Sequence, residues 1–69
     1  MAGMNITVNN RVFTLADGAK IHDLLALQKI DPAVIVVEVN RVIVKKENFR
    51  TTALHDNDEV EILRFVGGG

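Results

Sequence analysis

Apolar and polar residues alternate over two short stretches near the start of the chain. Residues 4–8 and 11–15 show this period of two, which is typical of strands with one buried face. Asn9 and Asn10 lie between them, and asparagine tolerates the positive φ angles of a two-residue hairpin turn. The pattern therefore predicts a β-hairpin, which ends at Asp17 and Gly18.

The hydrophobic period changes to that of a helix after Gly18. Ile21, Leu24 and Leu25 fall on one face, and polar side chains take the opposite face. This spacing predicts one short amphipathic helix over residues 20–29. We expect Asp31 to end it, because a residue that precedes proline is pushed out of the helical region.

The second half of the chain is rich in β-branched residues. Their continuous run over 34–39 predicts a central strand that is covered on much of both faces. A turn at Asn40 and Arg41 leads to a short strand over 42–44. One helical turn is expected over 52–54, where Leu54 would plug the sheet.

The last strand is predicted over residues 59–65. Asn57 precedes it in a turn of polar residues, where asparagine can adopt the left-handed conformation. The predicted order is thus ββαββ, with the first and last strands as central neighbours. This is an α+β fold of the β-grasp type seen in ubiquitin: a mixed sheet of four to five strands with one main helix on one face. We expect a single domain over 1–69, with 1–3 as an expression addition and 66–69 as a flexible tail.

One helix can cover only one face of the sheet. Val60 and Ile62 fit the covered face, so alternation places Leu63 and Phe65 on the open face, next to the tail. Exposed neighbouring apolar groups often mark a protein interface. We therefore predict a partner-docking surface at Leu63, Phe65 and Val66. The alternative is that these side chains pack on neighbouring loops.

Composition and charge narrow the range of functions that the protein can have. The chain is 48% hydrophobic and 25% charged, its net charge is −1, and no basic stripe is present, so nucleic acid and anionic membranes are poor partners. It has no cysteine, which removes disulfides and thiolate chemistry. No signal peptide or membrane-spanning run is visible, and the cytoplasm is the expected compartment.

No catalytic or metal-binding set is evident in the sequence. His22 and His55 are the only histidines, and we expect solvated or capping roles for both. Serine is absent, and no threonine has an evident base beside it. Asp56 and Asp58 flank Asn57 and are interpreted as a tight-turn signature. The chain is therefore predicted to be neither an enzyme nor a holder of a metal or cofactor.

The remaining candidate is the glycine tail, Gly67 to Gly69. Glycine leaves the carbonyl unobstructed and lets the backbone adopt the φ and ψ angles that a narrow partner site requires. An α-carboxylate has a pKa near 3.5, so at neutral pH it is an anion and a poor electrophile. To carry another group it must first be activated, for example as a mixed anhydride with AMP. An activating partner would have to supply the ATP and the metal.

Four segments together resemble the ThiS family, the sulfur carriers of thiamine biosynthesis, from Met4 to Gly69. They are the opening strand and turn, the helix motif, the Asn turn with its Ile-Val strand, and the approach to the terminal glycines: residues 4–9, 21–25, 37–44 and 54–62. The sequence departs from the family at Asn57, where glycine is usual, at Lys45, where proline is frequent, and at Phe49, where tryptophan or another large residue is common.

The resemblance implies a specific chemistry. An E1-like adenylyltransferase would adenylate the Gly69 carboxylate, and a persulfide donor would then convert it to a thiocarboxylate. Thiazole synthase would accept that sulfur. Gly68 would be the required companion of Gly69, and Gly67 and Gly68 would enter the partner's active site.

Other carriers and one other class share these features. A MoaD-like subunit of molybdopterin synthase has the same fold and Gly-Gly end, although it is usually longer. Carriers for tRNA thiolation or cysteine biosynthesis also use such a tail. A β-grasp interaction module would not need the tail at all, and it would tolerate residues appended after Gly69.

Overall fold

The computed structural model describes residues 3–65, which form one mixed five-stranded sheet and one α-helix. The strands and helix follow one another along the chain as β1 (Gly3–Val8), β2 (Arg11–Ala16), α1 (Ile21–Leu27), β3 (Ile35–Val39), β4 (Val42–Val44) and β5 (Glu59–Arg64). Short 3-10 helices occupy Pro32–Val34 and Lys46–Asn48. The predicted β-grasp fold with a mixed sheet is confirmed, but three strands follow the helix, so the order is ββαβββ and not ββαββ.

The sheet order is β2-β1-β5-β3-β4, so the first and last strands are central neighbours as expected. They run parallel, with Thr7 opposite Glu59 and Val8 opposite Val60. All other strand pairs are antiparallel. Strand β5 therefore has a neighbour on each side, and it is also the last element before the tail.

Two hairpin turns form as the sequence predicts. Asn9 and Asn10 have φ angles of 48° and 70°, and Asn40 and Arg41 have φ angles of 51° and 71°. Two successive residues with positive φ define the turn whose twist matches that of the flanking strands. Asn57, with φ at 72°, takes the left-handed conformation that was expected of it.

The core lies between α1 and one face of the sheet. Its buried side chains come from the helix, from every strand except β4, and from two later loop positions: Met4, Ile6, Val8, Leu15, Ile21, Leu24, Leu25, Ile35, Val37, Phe49, Leu54 and Val60. A seven-residue helix is not stable alone in water, so α1 depends on this packing. The opposite face of the sheet has no helix over it within residues 3–65.

The helix ends earlier than the proline signal suggested. It stops at Leu27 because Lys29 adopts the left-handed conformation, with φ at 58°. The Lys29 amide donates to the Ala26 carbonyl (3.1 Å) and the Ile30 amide to the Leu25 carbonyl (2.9 Å), the paired bonds of a Schellman motif. The helix is therefore closed before the chain reaches Pro32, and the range 20–29 was too long.

The prediction of a helical turn over 52–54 was wrong. That segment is extended and forms an antiparallel bridge between Ala53 and Lys20. The Leu54 amide donates to the Ala19 carbonyl at 2.8 Å, which draws Leu54 into the core. The side chain does plug the sheet, with 2% of its surface exposed, but on an extended backbone. No helix among residues 3–65 is long and apolar enough to cross a membrane.

Candidate functional site: the open sheet face at the tail exit

The strand register fixes which β5 side chains face away from the helix. Ile62 is opposite Val37, which is fully buried in the core, so Leu63 points to the open face. Leu63 is opposite Val36 on β3, and Glu61 is opposite Glu38. The prediction that Val60 and Ile62 lie on the covered face, and Leu63 on the open one, is confirmed.

Four apolar side chains on the open face form what we call the apolar patch: Val36, Ile43, Leu63 and Phe65. Leu63, Phe65 and Ile43 are 49%, 58% and 63% exposed, whereas Val36 is half-buried between its neighbours. Leu63 and Phe65 are therefore not covered by neighbouring loops. Sequence reasoning missed Val36 and Ile43, although period-two alternation along β3 and β4 was the signal that could have found them.

Main-chain hydrogen bonding between the β3 and β5 segments continues one residue past the end of β5. The Phe65 amide donates to the Val34 carbonyl at 2.8 Å, so the backbone is held up to Phe65. Of the predicted site residues, Leu63 and Phe65 thus lie together at this edge of the open face. Val66, Gly67, Gly68 and Gly69 lie outside the described residues.

An acidic groove adjoins the apolar patch on the same face. Its volume is about 590 Å³, and its lining comes from β1, β5, β3 and the two hairpin turns: Thr7, Asn10, Glu38, Arg41, Glu59, Val60 and Glu61. Glu38 and Glu61 face each other directly across β3 and β5. The open face therefore has a negatively charged end at the groove and an apolar end at the apolar patch.

Two asparagines in the hairpin turns hold β5 through their side chains. Asn9 Nδ2 donates to the Ile62 carbonyl at 3.1 Å, and Asn9 Oδ1 accepts from the Ile62 amide at 2.8 Å. Asn40 Oδ1 accepts from the Glu59 amide at 2.9 Å, and Asn40 Nδ2 donates to Asp58 Oδ1 at 3.0 Å. The sequence assigned both residues to turns only, because no local pattern signals bonds between residues 18 to 53 positions apart in the chain.

The two aspartates that the sequence singled out make hydrogen bonds at the turn before β5. Asp56 Oδ1 accepts from the Asn5 amide at 2.7 Å, and Asp58 Oδ2 accepts from the His55 amide at 2.8 Å. This agrees with the tight-turn interpretation of the two aspartates. His55 is exposed, and His22 lies half-buried on α1. Within residues 3–65, no three histidine or acidic side chains come together in a way that could hold a metal ion.

Comparison with known proteins agrees with this architecture. The chain has 42% identity over 53 residues with the sulfur carrier protein ThiS of Bacillus subtilis (strain 168), covering 77% of this chain and 80% of the relative. It superimposes on the crystal structure of the thiamine biosynthesis protein ThiS of Geobacter metallireducens with a TM-score of 0.83 and 36% identity, covering 96% of this chain and all of that one.

A longer protein also contains a matching stretch. The chain has 30% identity over 66 residues with a thiazole synthase of Paramagnetospirillum magneticum, covering 96% of this chain but 20% of that protein. The model of the ThiS family itself matches residues 4–69, which is nearly the whole sequence. The chain therefore belongs to the ThiS family.

Proposed function

We propose that this protein carries sulfur for thiamine biosynthesis as a thiocarboxylate on Gly69, and that it is a substrate of its partners rather than an enzyme. The observation that carries the proposal is the apolar patch at the end of β5. The Bacillus subtilis relative is named a sulfur carrier, and a carrier that uses a glycine tail needs a partner at this end of the molecule, where the patch offers an exposed contact surface.

Covalent geometry supports the patch as the docking surface. Four residues follow Phe65 in the sequence, and a fully extended chain of that length spans at most about 14 Å. Any active site that acts on Gly69 must therefore lie within about that distance of Phe65. A partner so close would contact the surface around Phe65, where Leu63 and Phe65 are exposed apolar groups.

The proposed chemistry proceeds through an activated carboxylate. An E1-like adenylyltransferase joins the Gly69 carboxylate to AMP from ATP and releases pyrophosphate. A persulfide sulfur then displaces AMP, and a thiol cleaves the resulting acyl disulfide, which leaves the thiocarboxylate and a new disulfide. The partner supplies ATP and its metal ion, and this chain supplies the carboxylate and an unobstructed path along Gly67 and Gly68.

Thiazole synthase is the proposed acceptor of the sulfur. The thiazole synthase of Paramagnetospirillum magneticum contains a stretch similar to 96% of this chain, so a related sequence is joined covalently to that enzyme. Fusion of two sequences in one protein favours a working contact between their separate counterparts. We place this exchange in the cytoplasm.

The test is an intact mass after reaction. The full chain is incubated with ATP, a persulfide donor and a ThiS-activating adenylyltransferase, and we expect one oxygen to be replaced by one sulfur. A variant lacking Gly69 and a variant with one arginine appended after Gly69 serve as controls, and neither should gain sulfur. Labelling of the arginine variant would contradict the proposal, because its Gly69 carboxyl group lies in a peptide bond and its terminal carboxylate stands beside a bulky side chain.

A second experiment identifies the partner that accepts the sulfur. Co-purification of the tagged chain with thiazole synthase is expected, and co-purification with a molybdopterin synthase large subunit instead would favour the MoaD-like alternative. The thiocarboxylate form, mixed with thiazole synthase and its other substrates, should lose its sulfur as the thiazole ring forms.

A further inference from the structure

The last part of β5 is supported differently on its two sides. On the β3 side, main-chain pairing continues to Phe65. On the β1 side, the parallel ladder ends early, because β1 stops at Val8 and turns into the hairpin. The Asn9 amide still donates to the Val60 carbonyl at 3.0 Å, but the main chain then leaves β5.

The side chain of Asn9 replaces the missing strand. Its amide group donates to the Ile62 carbonyl and accepts from the Ile62 amide, which is the same pair of bonds that a neighbouring strand would make. Ile62 is thereby held from β1, and Phe65 is held from β3, three residues later. Among residues 3–65, these are the last two attachment points of the β5 segment on its two sides.

We propose that Asn9 is a positioning residue for the C-terminal tail. It fixes the direction in which the chain leaves the sheet and thus keeps Gly69 aligned with the docking surface on the partner. This inference rests on the proposed function, because alignment matters only if a partner must reach Gly69. Misplacement of a reacting group by about 1 Å can cost on the order of a hundredfold in rate.

The chain offers a matched control for this role. Asn40 has almost the same φ angle as Asn9 (51° against 48°), lies at the equivalent turn position, and also makes two side-chain hydrogen bonds to the β5 region. It holds Asp58 and Glu59, at the opposite end of the strand from the tail. Glycine tolerates positive φ, so Asn9→Gly and Asn40→Gly each remove an amide group without straining the turn.

The experiment compares steady-state adenylation of the two variants. For Asn9→Gly we expect kcat to fall about tenfold or more with an unchanged KM, because the docking surface is intact and only the approach of Gly69 is disturbed. For Asn40→Gly we expect kcat within about twofold of the parent protein at a comparable loss in Tm. Equal kcat values for the two variants would overturn the inference.

A second readout does not need the partner. Amide relaxation in NMR should show increased motion at Arg64 and Phe65 in Asn9→Gly but not in Asn40→Gly, and unchanged motion in both would overturn the positioning role. If the parent protein is not adenylated at all, the proposed function fails while this measurement still decides the role of Asn9. Should Asn9→Gly fail to fold, Asn9→Asp replaces it, since it keeps the acceptor for the Ile62 amide and loses the donor.

Discussion

Phe65 has the largest apolar side chain near the tail, and more than half of it is exposed. A side chain of this kind contributes little to the core but can carry much of the energy of an interface. We predict that Phe65→Ala weakens binding of the adenylyltransferase about tenfold or more and lowers the free energy of unfolding by less than about 1 kcal/mol.

Two comparisons make the Phe65 prediction specific. Val12→Ala removes a side chain that is 72% exposed on the open face of β2, away from the tail, and it should leave both quantities unchanged. Leu54→Ala should cost about 2–5 kcal/mol of stability, as core truncations do. Calorimetry and urea denaturation measure the two effects, and a Phe65→Ala variant that behaves like Leu54→Ala would refute the docking role.

Arg41 shows a conflict between backbone and side chain at a single residue. It occupies the second position of a two-residue turn with φ at 71°, where a Cβ atom is unfavourable and glycine is usual. We predict that Arg41→Gly raises the free energy of unfolding by about 1 kcal/mol, since relief of the strain exceeds the entropy that glycine loses. In urea denaturation Arg41→Ala should give no such gain. An equal gain in both variants would show that loss of the charge, and not relief of φ, is responsible.

At the level of elements, the pairing of β3 with β5 contains an unfavourable contact. Glu38 and Glu61 are directly opposite, and like charges in that position destabilise a sheet. We predict that Glu61→Gln stabilises the fold by about 0.5 kcal/mol at low ionic strength. The gain should shrink in high salt, which screens exposed charges. Glu47→Gln, in the second 3-10 helix, is the control and should change nothing in the same denaturation series.

Elements defined by a repeating pattern were predictable from the sequence. Alternation located the strands, and Asn9 and Asn40 marked turns because asparagine tolerates positive φ. The open-face position of Leu63 followed from the same period of two. These features depend on residues close together in the chain, so the sequence displays them directly.

Features that depend on an unusual residue conformation or on distant contacts were not predictable from the sequence. Lys29 ends the helix in a conformation that lysine rarely adopts, so no glycine or asparagine marked the end. The strand-like segment at Ala53 exists because Lys20 pairs with it, 33 positions earlier in the sequence. The Asn9 contacts with Ile62 are of the same kind. For Ala53 and Asn9 the deciding partner is distant in the chain, and for Lys29 the residue type gives no sign of the left-handed conformation.

At the scale of the whole molecule, the fold brings the start of the chain to its end. Strand β1 pairs with β5, so the core residues Ile6 and Val8 support the strand that leads to the tail. The turn before β5 is tied to β1 as well, because the Asn57 amide donates to the Asn5 carbonyl at 2.7 Å. The proposed tail therefore follows a strand that has a neighbour on each side, and the proposed function makes its reach depend on the number of residues after Phe65.

This dependence on reach predicts how the tail responds to a change in length. Deletion of one of the three glycines, which gives the same chain as removal of Gly69, shortens the maximum span by about 3.5 Å, while the apolar patch is unchanged. We expect the shortened chain to bind the adenylyltransferase with the parent affinity and to form little or no acyl-adenylate in a single turnover. Insertion of one glycine at the same place lengthens the span, and we expect it to keep most of the activity because a longer tail can still reach. If the deletion and the insertion reduce the single-turnover rate equally, sequence register in the partner's channel, and not reach, governs the reaction.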